Sequence, residues 1–144
     1  MMTSTFTTQA TLWDWYSVVD PGGVQFDTPG AVPETSLGGA TGLVGKYASW
    51  KATIVPQQRW GESKLTVEVH DSPPPAQTGY TRTGEADFEV LSGEVYITEW
   101  GGEPIHRVNI PSGNWRLRVY AREGKDDGED IVEMEEHLLQ MWPG

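Results

Sequence analysis

The sequence predicts an all-β domain: a mostly antiparallel β-sandwich of about eight strands with little helix. Three observations lead there. Seventeen glycines and ten prolines among 144 residues mark many turns. The segments between those turns alternate apolar and polar residues with the period of a strand. The connections are too short for helical crossovers, which favours antiparallel pairing.

Taken in order, residues 1–10 are polar and Thr-rich and are expected to be disordered or frayed, leaving 11–144 as a single sandwich domain. Trp13–Val19 reads as a strand. Residues 20–45 are rich in Gly and Pro, with a candidate short strand at Val24–Asp27. A loop this long in a compact domain calls for a role or local structure. Segment 46–55 reads as one strand, with Ala48, Trp50, Ala52 and Ile54 on one face. Segment 64–70 points Leu65, Val67 and Val69 inward and Thr66, Glu68 and His70 outward. The run Asp71-Ser72-Pro73-Pro74-Pro75 cannot continue a central strand, because proline lacks the N–H that a ladder needs.

Pairing resumes at 85–91, with Ala86, Phe88 and Val90 inward and Asp87, Glu89 and Leu91 outward. Ser92-Gly93 turns the chain into 94–100, and Gly101-Gly102 into 105–110. Pro111-Ser112-Gly113-Asn114 leads into 115–122, the cleanest alternation in the chain. There Trp115, Leu117, Val119 and Ala121 oppose Arg116, Arg118, Tyr120 and Arg122. Residues 123–130 form a charged loop. The tail 131–142 fits either a helical stripe or a strand with both faces partly covered. A strand from about 135, paired with 115–122, suits the all-β context better.

Composition narrows the function. Without cysteine there is no disulfide framework, thiolate nucleophile or Cys-based zinc site. A reducing compartment is favoured. The opening Met1-Met2-Thr3-Ser4-Thr5 has neither the basic nor the apolar region of a signal peptide, and no apolar run is long enough to span a bilayer. A cytoplasmic location is therefore expected.

The net charge is −11, and it is uneven. Residues 1–84 hold seven acids and five bases; residues 85–144 hold fourteen acids and five bases. Such a field repels nucleic acid and anionic membrane and attracts a basic partner. It also serves simple solubility.

No spacing recommends catalysis. Neither Ser92 nor Ser112 lies in a Gly-x-Ser-x-Gly elbow. His70, His106 and His137 form no metal-binding pattern and read as surface or edge-strand residues. The run Asp126-Asp127-Gly128-Glu129-Asp130 lacks the acid order of a calcium loop and reads as a solvated turn. No cofactor or metal is expected. Glu85, Asp87 and Glu89 alternate on one strand at roughly 6.5–7 Å, a spacing open to acid–base work on a glycan, though an acidic outer face needs no such explanation. The row Arg116, Arg118 and Arg122 suits cross-strand pairing with Glu133, Glu135 or Glu136 better than nucleic-acid binding. Trp50 and Trp115 are candidate core residues. Trp13, Trp15, Trp60, Trp100 and Trp142 are either strand-end packing or exposed anchors.

The C-terminal half resembles a group of small, mainly actinobacterial proteins. The stretches that carry the likeness are Leu65–Pro74, Ala86–Val90, Pro111–Arg122 and Glu136–Pro143. The layout is similar to the bacterial competence protein J family, inhibitors of a DNA-entry nuclease, in which a Pro-x-Gly-aromatic-basic strand also precedes a final hydrophobic strand. That resemblance implies a β-sandwich and nuclease inhibition. It carries over no individual inhibitory residue, and the Gly-rich N-terminal third departs from it.

The expected function is therefore an acidic protein-binding domain, an inhibitor or immunity protein against a basic nuclease or toxin, and not an enzyme. Carboxylates can stand in for nucleic-acid phosphates on a basic surface. Glu85, Asp87, Glu89, Asp126, Asp127, Glu129 and Asp130 are the candidate partner-binding residues. Two alternatives are a structural protein that forms homo-oligomers, phage-associated accessories included, and a carbohydrate-binding module.

Overall fold

A computed structural model describes residues 2–10, 16–21, 44–48, 51–55, 62–99, 103–126, 128, 129 and 131–144. Twelve strands occur among them, and no helix. They are β1 (Met2–Ala10), β2 (Tyr16–Val19), β3 (Val44–Ala48), β4 (Lys51–Ile54), β5 (Ser63–His70) and β6 (Arg82–Val90), followed by β7 (Glu94–Glu99), β8 (Pro104–Asn109), β9 (Gly113–Arg122), β10 (Lys125–Asp126), β11 (Ile131–Glu133) and β12 (Glu136–Pro143).

Two five-stranded sheets face each other. One runs β1-β5-β12-β9-β6, the other β3-β4-β2-β7-β8, and β10-β11 form a separate small hairpin. Every pairing is antiparallel except β5 with β12. Inward side chains of both sheets meet in one core, including Val18, Ile54, Leu65, Phe88, Ile97, Leu117, Val119, Leu139 and Met141. Burying each large aliphatic side chain contributes roughly 1.5–3 kcal/mol.

The predicted alternation holds along β5, β6 and β9, where Leu65, Val67, Phe88, Val90, Trp115 and Leu117 are buried. β12 pairs with β9 from Glu136 opposite Arg122 to Pro143 opposite Trp115. It is a central strand, buried on both faces from His137 to Trp142.

Three expectations change. Residues 2–10 are not frayed. They form edge strand β1 on β5, because Thr is a good strand former and Phe6 and Ala10 pack against the core. The Phe6 ring stacks on His106 of β8 at 3.8 Å and joins the two sheets along that side. Segment 46–55 is two strands, β3 and β4, paired antiparallel with Ala48 opposite Lys51. Period-two alternation alone does not mark where a chain folds back on itself. The charged stretch 123–130 and its continuation contain the β10-β11 hairpin. The candidate strand Val24–Asp27 and the residues Trp13, Trp15, Trp50, Trp60 and Trp100 lie outside the described residues.

Candidate protein-binding surface

The outward side of β6 carries the first three predicted site residues. Glu85 and Asp87 are exposed and Glu89 is half-buried, each alternating with an inward neighbour. Glu85 is not a loose charge. Its carboxylate accepts from Arg116 at 3.1 Å and lies 3.7 Å from Arg118. Asp87 sits opposite Arg116 in the ladder. The second predicted group is separate. Asp126 lies in β10 and Glu129 is exposed between β10 and β11, beyond the Arg122 end of β9. Asp127 and Asp130 lie outside the described residues. The five described residues therefore fall in two groups, Glu85, Asp87 and Glu89 on β6, and Asp126 and Glu129 in and just after β10.

The arginine row is occupied structurally. Residues 71–81, which join β5 to β6, lie across the outer face of β9 and β12. Arg118 donates to the Pro74 carbonyl at 2.6 Å and to Gln140 Oε1 at 3.3 Å, and its guanidinium lies over the Trp142 ring. Arg122 donates to the Gly79 carbonyl, pairs with Glu136, and lies over Tyr80. The Tyr120 hydroxyl accepts from the Gln77 N–H at 2.9 Å. Tyr120 and Trp142, which point away from the sandwich core, are buried by this cover. Cross-strand pairing of the arginines is thus correct, with Glu136 serving Arg122 but Glu85 serving Arg116 and Arg118. At the β10-β11 end, a mixed-charge cleft of about 370 Å³ is lined by Lys64, Arg122, Glu123, Glu133 and Glu136.

Glu89, Glu94, Glu99, Glu103 and Glu123 make no ion pair with any described residue. Glu89 and Glu94 flank the turn between β6 and β7, and this turn is tightly held. Asp20, fully buried at the end of β2, accepts from the Leu91 N–H at 2.5 Å, the Ser92 N–H at 2.9 Å and the Ser92 hydroxyl at 2.9 Å. Ser112 donates to the Leu91 carbonyl, and the Ile110 N–H donates to the Gly93 carbonyl. Gly93 has φ 79°, which an L side chain adopts only with strain. Leu91, held at both its N–H and its C=O, is 45% exposed. Sequence reasoning missed Asp20. An Asp-Pro pair after a strand reads as an ordinary turn, and its partners lie more than seventy residues away.

A second buried acid serves the interior. Glu135 accepts from His137 Nε2 at 3.0 Å, and His137 Nδ1 is 2.5 Å from the Tyr16 hydroxyl; all three side chains are buried. Burial, helped by the charge of Glu135, pushes the Tyr16 hydroxyl well above its ordinary pKa, so it stays protonated and donates to Nδ1. His137 is therefore not a surface or edge histidine, and Glu135 pairs with it inside the sandwich. Their polar atoms satisfy one another inside the sandwich. His70 is also largely buried, and its Nε2 pairs with Glu68 at 2.9 Å. No cluster of three or more candidate metal ligands occurs among the described residues.

No family model and no curated relative matches the chain. Solved structures do share its fold. ComJ from Bacillus subtilis, inhibitor of the DNA-degrading activity of NucA, aligns with a TM-score of 0.64 at 11% identity, over 100% of this chain and 98% of its own. The crocagin biosynthetic gene J product aligns with a TM-score of 0.70 at 13% identity, over 97% of each chain. At such identities the likeness is one of fold. The resemblance to the competence protein J family holds at that level.

Proposed function

We propose that this chain binds a basic protein through carboxylates of its second half and, when that protein is a nuclease or nuclease-like toxin, inhibits it. The observation that carries the reading is the surplus of carboxylates that have no ion pair among the described residues, Glu89, Glu94, Glu99, Glu103 and Glu123, in a half-chain already rich in acid. Such groups supply steering and complementarity for a cationic surface evolved to hold phosphates. The full-length fold likeness to an inhibitor of a DNA-degrading nuclease supports it. Glu85, Asp87, Glu89, Asp126, Asp127, Glu129 and Asp130 remain the proposed contact residues, and Arg116 and Arg118 partly offset the charge of Glu85.

The reading is tested by assaying purified NucA and other basic DNA-degrading nucleases with and without the chain, at low and high salt. Inhibition that weakens steeply with salt is expected. Unchanged nuclease activity and no complex at low salt, across the panel, would falsify it.

A further inference from the structure

The turn between β6 and β7 presents an apolar side chain to solvent, Leu91. Leu91 and Met2 are the exposed large hydrophobic residues among those described, and Met2 lies on the edge strand β1. Leu91 sits instead on a turn fixed from three segments: Asp20 beyond β2, Ile110 and Ser112 before β9, and Gly93 within the turn itself. A buried carboxylate carries a desolvation cost, which these hydrogen bonds offset. The result is a backbone with little freedom left to lose when Leu91 is covered.

An acidic residue flanks this apolar point on each side along the chain. Glu89 continues the outward line of β6, and Glu94 begins the outward line of β7 on the other sheet. Neither is ion-paired with a described residue. An apolar centre with a charged rim is how binding energy divides in protein interfaces. A preorganised anchor fills a pocket and sets the dissociation rate, while the surrounding charges set orientation and the association rate.

We propose that Leu91 is the anchor of the docking surface, and that it seats in an apolar socket bordered by lysines or arginines on the basic protein partner. This rests on the functional reading above and names where on the molecule it acts. Charge complementarity selects this occupant over a second copy, because two copies would bring Glu89 and Glu94 against their own likes.

The test titrates wild type, Leu91→Ala, Leu91→Met and the double variant Glu89→Gln/Glu94→Gln against NucA and the same panel of basic nucleases. Light scattering and urea unfolding run alongside. Leu91→Ala should weaken binding about tenfold or more, mainly by faster dissociation, with an unchanged urea midpoint, and Leu91→Met should restore most of it. The glutamine pair should slow association several-fold and flatten its salt dependence. If wild type binds and folded Leu91→Ala binds as tightly, the anchor is overturned and the functional reading stands. If wild type binds none of the nucleases at low salt, the functional reading falls and this proposal with it. If wild type is a dimer that Leu91→Ala converts to monomer, the occupant is a second copy and the basic partner is overturned.

Discussion

The middle of the β6–β9 face and the β6–β7 rim carry the same residue type to different ends. At the middle, Glu85 is held between Arg116 and Arg118, and Arg118 is itself bound by the proline-rich cover and by Trp142. At the rim, Glu89 and Glu94 have no ion pair with a described residue, and the buried Asp20 fixes the turn between them. Formal charge and available charge are therefore different quantities. A carboxylate inside a cross-strand ladder helps hold the sheet together, and its field largely cancels within a Debye length. A carboxylate beside a rigid turn keeps its field for an approaching partner.

The comparison breaks first at Asp20. Asp20→Ala removes three hydrogen bonds from a fully buried site and leaves the Leu91 and Ser92 N–H groups without that acceptor. A loss of about 3–5 kcal/mol in unfolding free energy is expected, read from urea denaturation. The largest changes in amide exchange should fall at residues 91–93 and 110–113. A loss under about 1 kcal/mol would mean that the turn is rigid without the carboxylate, and the contrast between rim and middle would lose its physical basis.

The interior chain of Glu135, His137 and Tyr16 provides the control, since all three side chains are buried. Tyr16→Phe leaves His137 Nδ1 without its hydroxyl donor and should cost about 1–3 kcal/mol, with nuclease binding unaltered wherever the variant is folded. It also has a pH signature. The folded state holds the Tyr16 proton more tightly than the unfolded chain, whose tyrosines titrate near 10.0. Its stabilising contribution is complete below that pH and is lost as pH rises through the higher folded pKa. Wild type should therefore lose up to about 1.4 kcal/mol more per pH unit above pH 10 than Tyr16→Phe does. Parallel alkaline profiles would show that Tyr16 is not ionising against the fold.

Local pattern made the sandwich legible and hid much of the site. Leu65-Thr66-Val67 and Trp115 through Ala121 alternate without a break, so β5 and β9 could be placed and their inward faces named. The final strand was legible through its ending at Pro143 and its pairing with β9. The β3-β4 hairpin was not, because alternation alone does not mark where a chain folds back on itself. The N-terminal strand was missed for a different reason: its Thr-rich composition resembles a tail until β5 supplies a ladder. The outward parity of Glu85, Asp87 and Glu89 was readable, but which of them retains its charge was not. That depends on Arg116 and Arg118 arriving on a strand some thirty residues later. Asp20 and Glu135 were hidden more deeply, since a buried acid looks like any other acid until the fold encloses it.

The smallest expected effect is the one that separates the two regions most cleanly. Glu85→Gln removes a charge that is about 40% exposed and shared between two arginines, so stability should change by less than about 1 kcal/mol. Counted by formal charge alone, it is equivalent to Glu89→Gln, and both variants should slow association with a basic nuclease equally. Counted by available charge it is not, because Arg116 stays held near the remaining amide and Arg118 stays bound to Pro74 and Gln140. Glu85→Gln should then alter the association rate clearly less than Glu89→Gln at low ionic strength, and the gap should close as salt screens the exposed carboxylate. Stopped-flow association at two or three salt concentrations measures both. Equal slopes for the two variants would show that the partner responds to total charge, and that the arginine ladder does nothing to direct it toward the rim.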